Sequence, residues 1–444
     1  MSAARLTRTA AAPPVRIVHL GLGNFFRAHQ AWYTAHAPDA ADWGIAAFTG
    51  RSTALADALT GQDGLYTLIR RAADGDVCEV IGSVVAAHPG ADLASWYDYL
   101  TRPEVRILTL TVTEAAYVRG PDSRLDADLA ALRCDPRAAV ATVPARLVAG
   151  LAARRTAGAG PLTIMSCDNL PDNGGVTAGV VTDFATRLDP DLAGWIRATV
   201  SFVTTMVDRI TPATTDDDAR AVAGQTGRAD AAPVVTEPYA EWVISGDFPG
   251  GRPAWDAAGA RFVADVTPYE QRKLWLLNGG HSLLAYAGSA RGHETVAQAV
   301  TDPECRRRLE QWWDEAAGHL PLPGEEIAAY RVALIERWSN PRIQHRLAQI
   351  AADGSLKLPV RILPVLRAER AAGRMPAGAV GAVAAWIAHL RGAGAPVRDA
   401  AADAVLAAAA GSPAAASRQV LTLLDPGLAA DHALMAELTD VLGG

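Results

Sequence analysis

Cysteine is scarce in this sequence, and the cysteines lie far apart. The 444 residues include four of them, and no C-x-x-C pair occurs. Structural zinc sites usually need clustered Cys and His ligands, and disulfide frameworks need more cysteines in a shorter chain. The sequence therefore predicts reduced thiols in a cytoplasmic protein, and it predicts no metal site. The four residues are Cys78, Cys134, Cys167 and Cys305.

Clustered positive charge and long apolar segments are also missing. The formal net charge is -7, and no long run of Lys and Arg occurs, whereas nucleic acids and anionic membranes bind clustered positive charge. Residues 1–16 lack the apolar core of a signal peptide. The longest apolar run, residues 377–390, is too short to span a bilayer and is predicted to form a buried helix. We expect neither nucleic acid nor a membrane as a partner.

The first half of the chain alternates short β-branched runs with helical stretches. A chain of this length with 50% hydrophobic residues can form two substantial cores. Near-continuous apolar strands between helices indicate a parallel sheet that is covered on both faces. The candidate strands are residues 15–20, 43–50, 105–114, 161–166 and a part of 195–212.

Amphipathic and Ala-rich stretches take over after about Pro268. Helices that follow one another through short loops are typical of an all-α domain. We therefore predict an α/β domain over residues 1–265 and an all-α domain over residues 266–444. The predicted helices of the second domain are residues 270–290, 294–309, 325–337, 342–351, 360–371 and 377–390.

A glycine pattern follows the first predicted strand. In HLGLGNFFRAHQ, residues 19–30, two glycines match the first two positions of a dinucleotide-binding fingerprint. The first permits a tight turn, and the second lets a pyrophosphate approach the backbone at the start of a helix. Phe26 occupies the third glycine position, so a turn without a ligand is the alternative. The predicted cofactor contacts in this turn are Gly21, Gly23, Asn24 and Phe25.

The end of the second predicted strand lacks the Asp or Glu that usually binds the ribose of NAD. The sequence there is FTGRSTAL, with Arg51 and Ser52 as the candidate cofactor contacts. Arg51 would suit the 2′-phosphate of NADP, could equally stack on the adenine of NAD, or could simply lie on the surface. The sequence therefore predicts a Rossmann-type N-terminal domain that binds NAD(P), and it does not choose between the two cofactors.

Four residues with acid–base or hydrogen-bonding side chains lie in one predicted helix, in YEQRKLWLLNGGHS from Tyr269. At about 100° per residue of an ideal α-helix, they fall within an arc of about 140° that also contains leucines. A lysine in a partly apolar cleft loses its charge more readily and can accept a hydroxyl proton, while an asparagine amide can donate to an alkoxide. A surface lysine with locally bonded neighbours is the alternative. The four residues are Glu270, Lys273, Asn278 and His281.

Two further polar clusters follow apolar strands. Asn169, in MSCDNLPDNG, comes at the carboxyl end of a predicted strand, where ligands bind in open α/β folds. It could donate to an alkoxide, or it could serve in a turn or helix cap. Asp208 and Arg209 end another strand, and such a pair is more often a structural ion pair than a catalytic one.

Together these motifs resemble the mannitol dehydrogenase family of polyol-specific long-chain dehydrogenases, which includes fructuronate reductases. The matching stretches run from Gly21 to Pro359 and include GLGNFFRAHQAWY, QDGLYTL, TVTEAAY, SCDNLPDNG, MVDRITP, PYEQRKLWLLNGGHS and NPRIQHRLAQIAADGSLKLP. The resemblance implies a Rossmann-type N-terminal domain, a mostly helical C-terminal domain, an active site between them and no metal. A phenylalanine in place of the third glycine is normal in this family.

The resemblance also implies a role for each matching polar residue. By motif, Lys273 matches the catalytic base, and Asn169 and Asn278 match the donors to the alkoxide. His281 matches the residue that positions the substrate hydroxyl. Glu270 matches the carboxylate that connects the lysine to water, and Asp208 matches an acid near the substrate.

The choice of substrate depends on a further set of residues. The Arg-Ser pair at 51–52 and the stretch after His345 resemble the fructuronate reductase branch. His345, Arg346 and Lys357 could bind a sugar-acid carboxylate through charge-assisted hydrogen bonds, or they could solvate a helix face or bridge the domains. We expect D-mannonate and D-fructuronate as the substrate pair, with D-mannitol and D-fructose as the alternative, in a monomer or small homo-oligomer. A zinc-dependent polyol dehydrogenase and a non-catalytic NAD(P)H sensor are the competing interpretations.

Overall fold

The computed structural model describes residues 4–50, 52–112, 114–117 and 122–443, and it divides into two units at Thr267 and Pro268. The first unit contains all the strands of the described chain. They are β1 (Ala4–Arg5), β2 (Val15–Leu20), β3 (Gly44–Phe48), β4 (Tyr66–Arg71), β5 (Asp76–Ile81), β6 (Val84–His88), β7 (Ile107–Leu110), β8 (Leu162–Ser166), β9 (Val200–Asp208), β10 (Arg228–Ala229), β11 (Val234–Thr236), β12 (Glu241–Ser245) and β13 (Arg261–Phe262).

An eight-stranded sheet forms the centre of the first unit. Its order is β13-β12-β9-β8-β7-β2-β3-β6, and the six strands from β9 to β6 are parallel. Read by rank along the chain, those six strands follow the 3-2-1-4-5-6 order of a Rossmann fold. Strand β12 is antiparallel to β9. Smaller sheets join β11, β4 and β5, and also β1 and β10.

The apolar strands of this sheet are buried on both faces. Along β2, Val18 and Leu20 pack in one core cluster and Ile17 packs in another. Because side chains alternate between the two faces of a strand, these clusters lie on opposite sides of the sheet. The predicted parallel sheet with two covered faces is confirmed.

The helices of the first unit cover this sheet and connect its strands. They are α1 (Asn24–Ala28), α2 (Gln30–His36), α3 (Ala54–Thr60), α4 (Leu93–Leu100), α5 (Ser123–Cys134), α6 (Val143–Ala157), α7 (Asn173–Leu188), α8 (Pro190–Thr199) and α9 (Asp216–Thr226), with 3-10 turns at Ala40–Asp42 and Glu114–Tyr117.

Helices make up the regular structure of the second unit's described residues, as predicted, apart from an isolated β-bridge between Thr295 and Arg346. Two helices with many buried residues, α11 and α18, pack against each other. The helices from the unit boundary onward are α10 (Thr267–Arg272), a π-helix (Lys273–Gly279), α11 (Gly280–Ala290), α12 (Val296–Thr301), α13 (Pro303–Ala317), α14 (Gly324–Trp338), α15 (Leu347–Ile350), α16 (Gly354–Arg361), α17 (Leu363–Ala371), α18 (Ala377–Leu390), α19 (Ala402–Ala408), α20 (Pro413–Leu424), α21 (Pro426–Ala429) and α22 (His432–Gly443).

Three predicted helices are shorter or divided. Residues 294–309 form two helices because Asp302 caps α13 and Pro303 opens it. Residues 342–351 are helical only over Leu347–Ile350, and residues 360–371 break at Ile362, before a proline at the start of α17. Proline lacks the N–H that would continue a helix, so the breaks before Pro303 and Pro364 have a local cause. Every helix of the described chain falls short of what a bilayer-spanning segment needs in length and hydropathy.

Candidate active site

The glycine turn lies at the carboxyl end of β2. Gly21 has a φ of +115°, and a Cβ atom there would lie 2.0 Å from the backbone oxygen of Thr111. The N–H groups of Gly21 and Leu22 both donate to the oxygen of Phe48, at 3.0 and 2.9 Å. Glycine is therefore required at this position. A Cβ on Gly23 would meet a single described atom within 4 Å, the oxygen of Gly21 at 3.6 Å, so a ligand phosphate can approach the backbone here.

A buried arginine that the sequence analysis did not single out supports this turn. Arg27, which is 2% exposed, donates from Nε to the oxygen of Gly23 at 3.3 Å and from Nη2 to Oδ1 of Asn24 at 2.7 Å. Its Nη1 donates to the oxygen of Ala232. The open side of Gly23 and this rigid support fit a dinucleotide. An arginine four residues after the second glycine was the available signal, since i and i+4 share a helix face.

The remaining predicted cofactor contacts occupy varied positions. Phe25 is half-buried, and its ring stacks on that of His29 at a centroid distance of 5.1 Å. Ser52 is exposed just after β3. Arg51 lies outside the described residues. Their contacts with a cofactor stay predictions.

The loop after β8 is fastened by a buried asparagine. Asn173 donates from Nδ2 to the backbone oxygens of Asp168 and Thr205, at 2.9 and 2.7 Å, and its Oδ1 accepts from the N–H of Thr205 at 3.0 Å. The carboxylate of Asp168 also accepts from the hydroxyl of Tyr117. Asn169 follows this fixed residue and is exposed at the carboxyl edge of the sheet. The loop therefore presents Asn169 where open α/β sheets bind ligands.

Asp208 and Arg209 end β9 as buried neighbours. Asp208 is 4% exposed and Arg209 is 5% exposed. The Arg209 guanidinium donates to the backbone oxygens of Ala28 and Glu237 and lies over the ring of Trp32. Burial lowers the pKa of Arg209 to about 10. Arg209 therefore has a structural role in holding the backbone, and the catalytic role of Asp208 stays a prediction.

The segment that carries Lys273 and Asn278 is a π-helix, Lys273–Gly279. The prediction of one continuous α-helix over residues 270–290 is wrong here. In a π-helix the hydrogen bonds join residue i to i+5, so the angular positions of an ideal α-helix do not apply. π-helical turns are rare and frequently occur at functional sites. The π-helix is therefore a stronger reason than the sequence spacing to regard this segment as a candidate functional site.

Two tryptophans of α13 hold this π-helix through its backbone oxygens. Trp312 donates from Nε1 to the oxygen of Trp275 and Trp313 donates to that of Leu276, both at 2.9 Å. A Cβ on Gly279 would lie 2.9 Å from the ring of Trp312. The absence of a side chain at this glycine therefore lets the indole lie against the wider turn.

The polar side chains of this region are half-buried. Glu270 in α10, together with Lys273 and Asn278 in the π-helix, has intermediate exposure. Arg361 of α16 donates from Nη1 to the backbone oxygen of Asn278 at 3.3 Å and to Oγ of Ser282 at 3.2 Å. Arg361 lies two residues beyond the last matching motif and was not among the predicted site residues.

His281 and its neighbours form a buried polar cluster in an aromatic setting. Its ring lies 4.7 Å from that of Trp338 and 4.9 Å from that of His345. Burial, with the nearby imidazole of His345 and two arginines, lowers the pKa of His281 well below its usual value. Within the described chain, His281 Nε2, His345 Nδ1 and Trp338 Nε1 have no hydrogen-bond partner. Each unpaired buried polar atom costs about 1–3 kcal/mol, so a ligand hydroxyl or a water would be favoured here.

The three residues predicted to bind a carboxylate have different surroundings. Burial lowers the pKa of His345, so its imidazole is neutral at pH 7. Arg346 is exposed and pairs with Glu294 at 2.6 Å. Lys357 donates from Nζ to two backbone oxygens, at 3.1 and 2.5 Å. Their role in binding a substrate stays a prediction.

One group of side chains in the described chain has the spacing of metal ligands: His293, Asp302 and Cys305. Asp302 already accepts four hydrogen bonds, from Arg291 and His293 and from two backbone N–H groups of α13. Burial raises the pKa of the Cys305 thiol to about 11. The group lies at the positive end of a helix, which disfavours a cation. These contacts describe a helix cap with an ion pair.

A glycine turn at the carboxyl end of the first strand of a Rossmann-type sheet is typical of dinucleotide-dependent oxidoreductases. Residues 15–257 match the mannitol dehydrogenase Rossmann domain, and residues 265–441 match the mannitol dehydrogenase C-terminal domain. The chain therefore belongs to the mannitol dehydrogenase family, as its motifs predicted.

Named relatives cover most of the chain. D-mannonate oxidoreductase of Escherichia coli K12 is 40% identical over 393 residues, which are 85% of this chain and 80% of that protein. Mannitol 2-dehydrogenase of Cereibacter sphaeroides is 39% identical over 381 residues, 83% of this chain and 80% of that protein. The structure of Pseudomonas fluorescens mannitol 2-dehydrogenase with NAD and D-mannitol has a TM-score of 0.83 and 34% identity, covering all of this chain and 94% of that one.

Proposed function

We propose that this chain is a metal-independent, NAD(P)-dependent dehydrogenase that interconverts a secondary alcohol and a ketone, with D-mannonate and D-fructuronate as its preferred pair. The observation that carries this proposal is a half-buried lysine in a π-helix that is followed by a buried, neutral histidine. The Escherichia coli relative named D-mannonate oxidoreductase supports the substrate. The Pseudomonas relative with bound NAD supports the cofactor.

The use of lysine in this chain supports a chemical role for Lys273. Of the 41 Lys and Arg residues, two are lysines, Lys273 and Lys357. Arginine therefore supplies the positive charge almost everywhere else. A guanidinium does not lose its proton in proteins, whereas an ammonium can. A lysine at position 273 fits a need for an amine that accepts a proton.

Each proposed residue moves or holds a proton during alcohol oxidation. The bound nicotinamide ring supplies the acceptor for the hydride that leaves the carbinol carbon. Lys273, in its neutral form, accepts the hydroxyl proton at Nζ, and Glu270 passes that proton on to water. Asn169 and Asn278 donate amide N–H groups to the oxygen as negative charge develops on it.

The buried histidine would hold the reacting hydroxyl without competing for its proton. His281 is neutral at pH 7 because its pKa is lowered by burial and by neighbouring positive groups. A neutral imidazole offers a single N–H donor and a single acceptor. Its Nε2 has no partner among the described residues, so a substrate hydroxyl would satisfy it.

The preference for a sugar acid depends on a positive charge beside Asn278. Arg361 donates to the Asn278 backbone oxygen, and a guanidinium is a planar cation that can bind a carboxylate through paired hydrogen bonds. Mannitol 2-dehydrogenase activity is the second candidate, because the His281 cluster is neutral and suits hydroxyl groups. A sensor of NAD(P)H would need the glycine turn and would not need Lys273.

A substrate panel tests the proposed activity. We expect the purified protein to oxidise D-mannonate with a kcat/KM at least about tenfold above that for D-mannitol, because a charge-assisted hydrogen bond is worth about 1.5–3 kcal/mol. The assay follows absorbance of the reduced nicotinamide with NAD and NADP in parallel. In Arg361→Gln, the ratio of the two kcat/KM values should fall towards one. Turnover of the neutral polyol alone would reject the sugar acid, and no turnover at all would favour the sensor.

Chelation tests the proposed independence from metal. We expect turnover to stay within about twofold after dialysis against EDTA or 1,10-phenanthroline, because Lys273 and the two asparagines do the work that a metal would do in a zinc enzyme. Elemental analysis of the dialysed protein provides the control. Loss of activity that added zinc restores would support a zinc-dependent enzyme, and His293→Ala would then show whether the group at α13 binds the metal.

A further inference from the structure

A buried histidine lies directly behind the glycine turn. His19 on β2 is 0% exposed, and its ring stacks on that of Phe26 at a centroid distance of 3.5 Å with an interplanar angle of 8°. Its Nδ1 lies 2.8 Å from Oγ1 of Thr109, and its Nε2 lies 3.1 Å from Oγ1 of Thr111. The phenylalanine at the third glycine position of the fingerprint thus covers this imidazole.

The hydrogen positions in this group follow from its partners. The Thr111 hydroxyl donates to the backbone oxygen of Gly21 at 2.9 Å, because a carbonyl oxygen can only accept. A hydroxyl has one hydrogen, so a Thr111 that donates to Gly21 can only accept from His19 at 3.1 Å. We assign the His19 proton to Nε2 on this basis. Burial lowers the pKa of His19 to about 3, so the imidazole is neutral and its Nδ1 accepts from the Thr109 hydroxyl. The hydrogen bonds run in one direction, from Thr109 through His19 and Thr111 to Gly21.

The end of this relay fixes one peptide plane of the turn. The carbonyl of Gly21 is held by Thr111, and the N–H of the same peptide, on Leu22, donates to the oxygen of Phe48 at 2.9 Å. Both ends of the Gly21–Leu22 peptide are therefore anchored. The peptide leads directly to Gly23, where a Cβ would meet only the oxygen of Gly21 within 4 Å among the described atoms. The orientation of the Gly21–Leu22 peptide therefore determines the position of the Gly23 backbone.

We propose that His19, fixed as its Nε2–H tautomer, is a positioning residue that acts through Thr111 to hold the Gly21–Leu22 peptide in the orientation that binds the dinucleotide pyrophosphate. This inference rests on the cofactor part of the proposed function. It does not involve the residues of proton transfer, so the relay should govern the affinity for the dinucleotide and leave the chemical step unchanged.

Removal of one hydroxyl tests the relay. Thr111→Val keeps the shape of the side chain and loses the bond to Gly21, so we expect its Kd for NAD⁺ to rise about tenfold, the scale of one hydrogen bond. Thr111→Ser keeps the hydroxyl and should stay within about twofold of the wild type. Calorimetric titration with NAD⁺, and with NADP⁺ in parallel, gives Kd. The same variants assayed at saturating cofactor should keep kcat within about twofold.

Two further experiments test the role of His19: the affinity of His19 variants for NAD⁺, and the position of the proton on the wild-type imidazole. Gln can place an amide N–H near the position of Nε2 and should bind NAD⁺ within about threefold of the wild type, whereas Asn reaches only the Nδ1 position and should bind about tenfold more weakly. Long-range ¹H–¹⁵N correlation of the wild-type imidazole should show Nε2 protonated and Nδ1 unprotonated from pH 5 to 9.

Two results would overturn this inference. One is a Thr111→Val variant that melts like the wild type and binds the dinucleotide equally well, and the other is a His19 that carries its proton on Nδ1. The proposed function would instead be wrong, and the relay supported, if the variants changed Kd by the expected ratios while the wild-type protein oxidised no polyol or hexonate.

Discussion

Lys273→Arg is expected to lower kcat by about a thousandfold or more, and Lys273→Ala is expected to do the same, because loss of a general base commonly costs about 10²–10⁴ in rate. The arginine variant is the sharper one. It keeps the positive charge in the half-buried π-helix but cannot accept the hydroxyl proton. Steady-state rates on the best substrate of the panel, with saturating cofactor near neutral pH, give the measurement.

The control for this prediction is cofactor binding. Both variants should bind NADH with a Kd close to that of the wild type, because the proposed dinucleotide contacts lie in the glycine turn and after β3, and Lys273 is not one of them. Small primary amines added to Lys273→Ala should restore part of the rate, since a free amine can supply the missing base. If Lys273→Arg kept near-wild-type turnover, the site would need charge and not proton acceptance, and the proposed mechanism would be wrong.

Asn278→Ala is expected to lower kcat by about a hundredfold or more, because one donor to a developing oxyanion is worth about 10²–10³ in rate. The variant keeps the backbone oxygen that Arg361 contacts, so the arginine should remain anchored. Asn169→Ala is expected to show a loss of the same order. The measurement is kcat and KM separately, since a donor that acts in the transition state changes kcat more than KM.

Asn278→Asp provides the matched comparison for this prediction. It has nearly the same shape and replaces the amide donor with acceptors, which would repel an alkoxide. We expect it to be at least as impaired as Asn278→Ala. An aspartate variant with near-normal kcat would show that no donor is needed at this position, and a loss confined to KM would assign Asn278 to ground-state binding alone.

The sheet and the fold class could be predicted from local sequence. The strand at 15–20 matches its predicted bounds, and the run at 161–166 forms β8 with one residue fewer. These strands are readable because both faces of a parallel sheet are covered, so their residues are apolar without alternation. The buried helix at 377–390 also matches. Helix ends were less accurate where a proline divided a stretch that remains amphipathic, as at Pro303.

The site could be predicted only as a set of residues. The motifs predicted Lys273, Asn278 and His281 as site residues, but the ideal α-helix used to relate them does not describe the π-helix over Lys273–Gly279. The π-helix that holds the first two depends on indole donors from α13, about 37 residues away. The support of the glycine turn by Arg27 and His19 was not predicted either, although both residues lie inside the motif itself.

The sequence by itself determined the kinds of element, their order and the family, because apolar period, glycine spacing and proline position act over a few neighbouring residues. The tertiary structure alone decided the backbone form around Lys273, the neutral state of His19 and His281, and the partners of Arg361 and Lys357. Those properties depend on desolvation and on hydrogen-bond partners from distant parts of the chain. A local sequence pattern does not specify which distant residues will be in contact.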